Sequence, residues 1–309
     1  MVDKVVVTGG AGFIGSHVAE ELAGRGYHVI IFDDLSTGSM ANIEALLKDR
    51  HVEFTRGSIT DLPALNKVFR GARFVFHLAA LPSVPRSVRD PLASHEVNST
   101  GTLKVLLAAR DASVRKVIYS SSSSVYGDTP TLPKREDMTP HPQSPYAAAK
   151  AAGEHYCQVF EKVYGLPAAC LRYFNVYGPR QDPNSQYAAV IPSFIKRTGA
   201  GEPPVIYGDG TQTRDFTFVK DTVAANILAA EGEASGVYNI GRGESVSLSE
   251  LARLVIKLSG RDLRPIYEGI RPGDVKHSLA DITRARGFGY DPKFSLEDGL
   301  RYIYKNLKK

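Results

Sequence analysis

The sequence predicts an α/β fold: a doubly wound parallel sheet covered by helices on both faces, followed by a smaller C-terminal region. Short apolar runs rich in Val, Ile and Phe alternate with amphipathic stretches through the first half of the chain, the pattern of βαβ units. A glycine-rich turn joins the first run to the first amphipathic stretch. After about residue 175 the alternation fails, and proline, glycine, asparagine and tyrosine crowd the chain.

Strands are expected at 5–8, 29–32, 52–55, 74–77, 116–120 and 168–172, with helices at 14–25, 62–69, 92–110 and 146–164 between them. Ligands of such a sheet bind beyond the carboxyl ends of its strands, and the motifs below all fall there. The region from 175 onward reads as loop-dominated, with a strand at 237–241, a helix at 247–258, a loop at 269–274 and a terminal helix at 296–306. The division is therefore 1–174 for the sheet domain and 175–309 for a mainly substrate-binding region, the strand near 237–241 returning to the main sheet.

The 309 residues are 43% hydrophobic and 23% charged, ordinary for a globular protein. Thirty-eight basic against 33 acidic side chains give +5, a mild, scattered excess without the dense basic stripe of a nucleic-acid binder. Cys157 and Cys170 form no disulfide framework or metal-ligand spacing, so two reduced thiols and no metal are expected. The chain opens with the strand-like Lys4-Val-Val-Val-Thr8 rather than a signal peptide. No apolar run approaches the ~20 residues that span a bilayer. A cytoplasmic protein without a membrane partner is expected.

Gly9-Gly10-Ala11-Gly12-Phe13-Ile14-Gly15 lies directly between the first strand and the first helix. Glycine permits the turn and lets the backbone approach a pyrophosphate, and the helix start offers free N–H groups and its positive dipole end. This is the Rossmann-type dinucleotide signature. The second strand ends in Phe32-Asp33-Asp34. A carboxylate there bonds the ribose diol of NAD and repels the 2′-phosphate of NADP, so NAD is the expected cofactor.

Tyr146-Ala-Ala-Ala-Lys150 follows Pro145 on a helical segment, and its spacing puts phenol and ammonium on one face. A nearby lysine and a cationic nicotinamide would together lower the phenol pKa from ~10 by about 3 units, some 4 kcal/mol of differential stabilisation. Upstream, Ser120-Ser-Ser-Ser-Ser-Val-Tyr126-Gly127 closes the fifth strand, where a hydroxyl can bridge a substrate oxygen and Tyr146.

With these motifs the chain resembles the extended short-chain dehydrogenase/reductases, and among them the UDP-sugar 4-epimerases. The likeness covers nearly the whole chain. It includes His77-Leu-Ala-Ala80, Asn98 in Val-Asn-Ser-Thr-Gly, Ser144-Pro-Tyr146, Arg172-Tyr-Phe-Asn175-Val-Tyr-Gly-Pro, Arg214-Asp-Phe and Arg271-Pro-Gly-Asp274. The resemblance implies that Tyr146 is the base, that Lys150 holds the nicotinamide ribose and tunes the phenol, and that Ser122 assists, with Ser123 and Ser124 near enough to share the role. It implies cofactor contacts from Gly9, Gly12, Phe13, Ile14, Gly15, Asp33, Ser36, Gly38, Ser58, Ile59, Leu78, Ala79, Ala80, Asn98, Ser120 and Tyr173, besides Tyr146 and Lys150. It implies UDP-sugar contacts from Ser83, Arg86, Ser122, Ser123, Ser124, Tyr146, Asn175, Ala189, Val190, Tyr207, Arg214, Arg271, Asp274 and Ser278. One departure is Gly57-Ser58-Ile59, where the family carries an acid that bonds the adenine amino group; a serine makes a weaker contact.

Related dehydratases carry an Asp-Glu pair where this chain has Ser123 and Ser124, and related UDP-glucuronate decarboxylases carry a glutamate in the second place. Without those carboxylates dehydration lacks its acid and base, whereas C4 epimerisation through a 4-keto sugar does not need them. Ser278 leaves room for an acetamido group where epimerases restricted to UDP-glucose often have tyrosine. The expected substrates are UDP-GlcNAc/UDP-GalNAc, alone or with UDP-Glc/UDP-Gal. A UDP-glucuronate 4-epimerase, with Arg86 holding the carboxylate, is the alternative. A reductase or synthase would consume external NAD(P)H, and a non-catalytic NAD sensor would commonly lack the Tyr/Lys pair. The resemblance also implies a homodimer joined through 92–110 and 146–164.

Overall fold

The computed structural model describes residues 2–182, 189–269 and 276–307. Chain order begins β1 (Lys4–Thr8), α1 (Phe13–Gly24), β2 (His28–Asp33), β3 (Val52–Arg56), α2 (Leu62–Phe69) and β4 (Ala72–His77). It continues with α3 (Val84–Arg89), α4 (Pro91–His95), α5 (Thr102–Asp111), β5 (Lys116–Ser122), α6 (Pro145–Tyr164) and β6 (Ala168–Tyr173). The C-terminal part holds β7 (Val176–Tyr177), α7 (Val190–Gly199), β8 (Val205–Tyr207), β9 (Thr213–Arg214), β10 (Thr217–Phe218), α8 (Val219–Glu231) and β11 (Gly236–Ile240). Last come β12 (Val246–Ser247), α9 (Leu248–Ser259), β13 (Ile266–Glu268), α10 (Thr283–Arg286) and α11 (Leu296–Leu307).

Seven parallel strands form one sheet in the order β3-β2-β1-β4-β5-β6-β11. The order reverses between β1 and β4, which opens a crevice at their carboxyl ends. Successive side chains alternate between two cores. Val5, Val7, Ile31, Phe76 and Ile118 pack with Val18 and Leu22 of α1 and with Val223 and Ile227 of α8. Val6, Ile30, Phe32, Val75 and Val117 pack with Leu65 of α2, Val105 of α5 and Phe160 of α6. Both faces are covered, so the strands read as continuous apolar runs.

β5 runs on to Ser122, two residues past the expected end, which keeps Ser120 and Ser122 in regular strand geometry. The single helix expected at 92–110 is three pieces: α4, a π-helical turn Glu96–Gly101 and α5. Asn98 sits on the π turn and uses its amide on the Leu81 backbone, accepting from N at 2.8 Å and donating to O at 3.1 Å. That bond pair ties the turn to the loop after β4, and π turns of this kind often serve functional sites.

The region after 175 is less loop-dominated than its composition suggests. α7 carries Pro192 within its first turn, where proline costs no helix hydrogen bond. α8 buries residues all around its circumference, including Val219, Val223, Ala225, Ile227 and Ala230, so it shows no apolar stripe in sequence. It packs on α1, β5 and β6 and so covers the main sheet, as β11 extends it. α9 opens with a capping box in which Ser247 and Glu250 bond each other's backbone N–H. Among the described residues no helix is long and apolar enough to cross a membrane.

Candidate active site

A cavity of about 1830 Å³ runs from the glycine turn past the end of β5 to the C-terminal region. Single small-molecule sites usually measure roughly 300–1,000 Å³, so this one has room for two ligands end to end.

Its first end is built by the β1–α1 turn. Gly9 has φ +69°, and a Cβ there would lie 2.6 Å from the Ala79 amide nitrogen; a Cβ on Gly15 would lie 2.1 Å from the Gly9 carbonyl oxygen. Only glycine allows the turn to close against the loop after β4. Gly12 is the N-cap of α1 and has no capping side chain, so the first-turn N–H groups remain available to an anion. At the end of β2, Asp33 Oδ2 accepts from Ala11 N at 3.0 Å and Oδ1 from Leu35 N at 2.8 Å. Burial pushes this carboxyl up, and the two backbone donors pull it back. Each oxygen keeps a further lone pair for a diol. Phe13, Ile14, Ser36, Gly38, Ile59, Leu78, Ala79 and Ala80 line the same end. These features fit a pyridine dinucleotide.

The middle is the junction of β5 and α6. Ser144 caps α6 by accepting from Ala147 N at 3.2 Å, and Pro145 fixes its first turn. Tyr146 therefore leaves the helix start half-buried, with Lys150 one turn on. The Lys150 ammonium donates to the Ser120 carbonyl at 2.7 Å and lies 5.0 Å from the Tyr119 ring centre and 5.9 Å from that of Tyr146. The Ser122 hydroxyl is near enough to the Tyr146 phenol to favour its ionised form, and it accepts from Ser124 N at 3.1 Å. Burial pushes the phenol up to about 12, and the Ser122 hydroxyl opposes this only in part. Burial pulls Lys150 down to about 8, against the attraction of Glu154 and Cys157. The lowered phenol expected from sequence is therefore not a property of the chain alone.

Ser83, Ser123, Ser124, Tyr173, Asn175, Ala189, Arg214 and Ser278 complete the wall toward the far end. Ser83 at φ 106° and Asn175 at φ 32° have positive backbone angles, uncommon for residues with a Cβ and typical of functional positions. The Arg214 guanidinium donates to the Thr213 carbonyl at 2.9 Å.

Five expected contacts fall outside the cavity lining. Asn98 spends its amide on Leu81 and positions the loop. The Ser58 hydroxyl pairs with that of Thr60 at 2.9 Å. Arg86 stands exposed on α3. Val190 begins α7, leaving Ala189 at the wall. Tyr207 ends β8, which pairs with β13. Arg271 and Asp274 lie outside the described residues.

Several lining residues were not among the expected contacts. Lys134 is buried in the long 127–144 segment and donates to the Thr129 hydroxyl at 2.6 Å. His277 pairs through Nδ1 with the Thr213 hydroxyl at 3.0 Å. Arg180 binds Glu20 of α1 at 2.7 Å; it directly follows the Asn175–Pro179 motif, which is the signal that would have found it.

The NAD dependent epimerase/dehydratase family model matches residues 5–241. The UDP-glucose 4-epimerase of Mycolicibacterium smegmatis is 40% identical over 302 residues, covering 96% of each chain. Among solved structures, the UDP-N-acetylglucosamine 4-epimerase of Methanobrevibacter ruminantium, in complex with UDP-N-acetylmuramic acid, superposes with TM-score 0.96 at 44% identity, covering 100% of this chain and 99% of that one. The UDP-glucose 4-epimerase of Thermotoga maritima, with UDP-glucose, gives 0.94 at 41% identity, covering 99% and 98%.

The Asp33 geometry sets an expected outcome. Asp33→Asn exchanges charged hydrogen bonds for neutral ones, and NAD affinity should fall about tenfold to a hundredfold, measured by calorimetry on cofactor-stripped protein. Unchanged affinity would remove the carboxylate from the ribose site.

Proposed function

This chain belongs to the NAD dependent epimerase/dehydratase family, and we propose that it reversibly inverts C4 of a UDP-linked hexose through a 4-keto sugar. One observation carries the reading. Tyr146, Ser122 and Lys150 meet on a cavity continuous with the dinucleotide turn, and the positions after Ser122 are serines rather than carboxylates.

The Gly9–Gly15 turn, the α1 N-terminus and Asp33 would hold NAD, which when bound supplies the acceptor and donor of the C4 hydride. Tyr146 takes the proton of the 4-hydroxyl and returns it after the keto sugar has presented its other face. Ser122 bridges phenol and sugar oxygen, which holds the proton path in line. Lys150, anchored on Ser120, supplies fixed positive charge beside the developing phenolate. Arg214 binds the UDP diphosphate, and the width of the cavity leaves the keto sugar room to turn while UDP stays anchored.

Ser278 is small and at the wall, which favours UDP-GlcNAc and UDP-GalNAc. In the uronate alternative Arg86, exposed on α3 beside the lining residues Val84 and Pro85, would hold the carboxylate. The protein works in the cytoplasm as a homodimer. Leu92 of α4, and Val159 and Val163 of α6, are large apolar side chains 81%, 49% and 63% exposed, and a two-fold pairing of these helices would cover them.

Purified protein should interconvert UDP-GlcNAc and UDP-GalNAc without added NAD, followed by NMR of the products. Tyr146→Phe should lower kcat by about a thousandfold with UDP binding intact; equal turnover would end the assignment of the base. Sedimentation should give a dimer that Val159→Asp with Val163→Asp converts to monomer, and a monomeric wild type would contradict the pairing.

A further inference from the structure

One buried charged cluster stands directly behind the Tyr146–Lys150 pair. Glu154 lies one helical turn beyond Lys150 on the same face of α6, and both it and Arg172 of β6 are buried. Its carboxylate accepts from Arg172 Nε at 2.8 Å and Nη2 at 2.7 Å, and from the Ser121 hydroxyl at 2.5 Å. The Arg172 guanidinium also lies 4.6 Å from the Tyr126 ring centre. Ser121 stands on β5 between Ser120, which anchors Lys150, and Ser122, whose hydroxyl acts on the Tyr146 phenol. A buried bridge with one more hydrogen bond is an expensive way to stabilise a fold, and here its third arm reaches the strand residue between two catalytic contacts.

We propose that Glu154 is a positioning residue of the catalytic apparatus, its bridge to Ser121 and Arg172 locking the end of β5 against α6 and holding Lys150 in its charged form. The inference rests on the acid–base roles assigned above to Tyr146 and Lys150. The titratable groups around Lys150 are Tyr146, Glu154 and Cys157 of α6, Tyr119 of β5, His77 of β4, and Cys170 and Arg172 of β6. His77 is held neutral, because burial lowers it to about 3. Arg86 and Arg89 of α3, His95 of α4 and Glu96 of the π turn are exposed to solvent. Glu154 is therefore the anion that can offset the burial of the ammonium. Removing its charge makes Lys150 lose its proton at lower pH, so the alkaline limb of kcat moves down.

Glu154→Gln keeps the shape and removes the charge. In protein as purified with its cofactor, NMR titration of isotope-labelled lysine should show Lys150 losing its proton about one pH unit lower. The alkaline limb of kcat should follow at unchanged KM, and Glu154→Asp should restore both. An unmoved Lys150 titration in folded Glu154→Gln overturns the charge role. If that variant does not fold, Glu154→Leu with Arg172→Met removes both charges together; a smaller displacement in the same direction is expected there, because the nearer charge to Lys150 is that of Glu154, and its absence overturns the role equally. Ser121→Ala cuts only the strand arm and should lower kcat about tenfold at constant KM; wild-type kcat overturns the locking role. The titration needs no turnover. A wild type inert on UDP-sugars would therefore defeat the epimerase reading and leave the charge role of Glu154 to be judged by the titration alone.

Discussion

The hydrogen bond from the Lys150 ammonium to the Ser120 carbonyl is the constraint on which the site depends. It fixes the first turns of α6 against the last residues of β5, and so brings Tyr146 to Ser122. The sheet supplies the rest. β5 lies beside β4, and β4 beside β1, so the phenol and the dinucleotide turn open into one cavity. A shift of α6 by one turn would leave the glycine loop intact and part Tyr146 from Ser122.

Burial at this junction has two consequences. It strengthens every fixed charge and dipole aimed into the cavity, and it penalises ionisation of the groups inside. Tyr146 and Lys150 are pushed in opposite directions, the phenol up to about 12 and the ammonium down to about 8, both toward neutrality. By itself, then, the chain holds a neutral phenol at neutral pH. In the proposed reaction a phenolate becomes accessible when further positive charge enters the same dry space, as the oxidised form of a bound pyridine nucleotide would supply. Glu154 acts on the other partner and keeps Lys150 from surrendering its charge.

Much of this was legible in the residues. Parallel strands buried on both faces announce themselves as apolar runs, and the glycine turn, Asp33 and the Tyr146–Lys150 spacing mark the cavity's first end and its middle. The illegible parts share physical causes. α8 has no stripe because it is buried all round, and α7 hides behind a proline that its first turn tolerates. Ser58 and Asn98 sit at the expected places in sequence but spend their polar groups on Thr60 and Leu81, a choice fixed by tertiary contacts. Arg86 is exposed on α3, beside residues that line the cavity. The spacing of Glu154 from Lys150 is visible in sequence, whereas its burial against Arg172 is not.

The central claim is that the chain alone keeps Tyr146 protonated and that charge from the bound nucleotide lowers it. Spectrophotometric titration of phenolate formation, with Tyr146→Phe subtracted to isolate the one residue, tests this most directly. The account predicts a value near 12 in cofactor-stripped protein and a value several units lower once NAD is bound. A phenol already ionised near neutral pH in stripped protein, or one that NAD leaves unmoved, would contradict it.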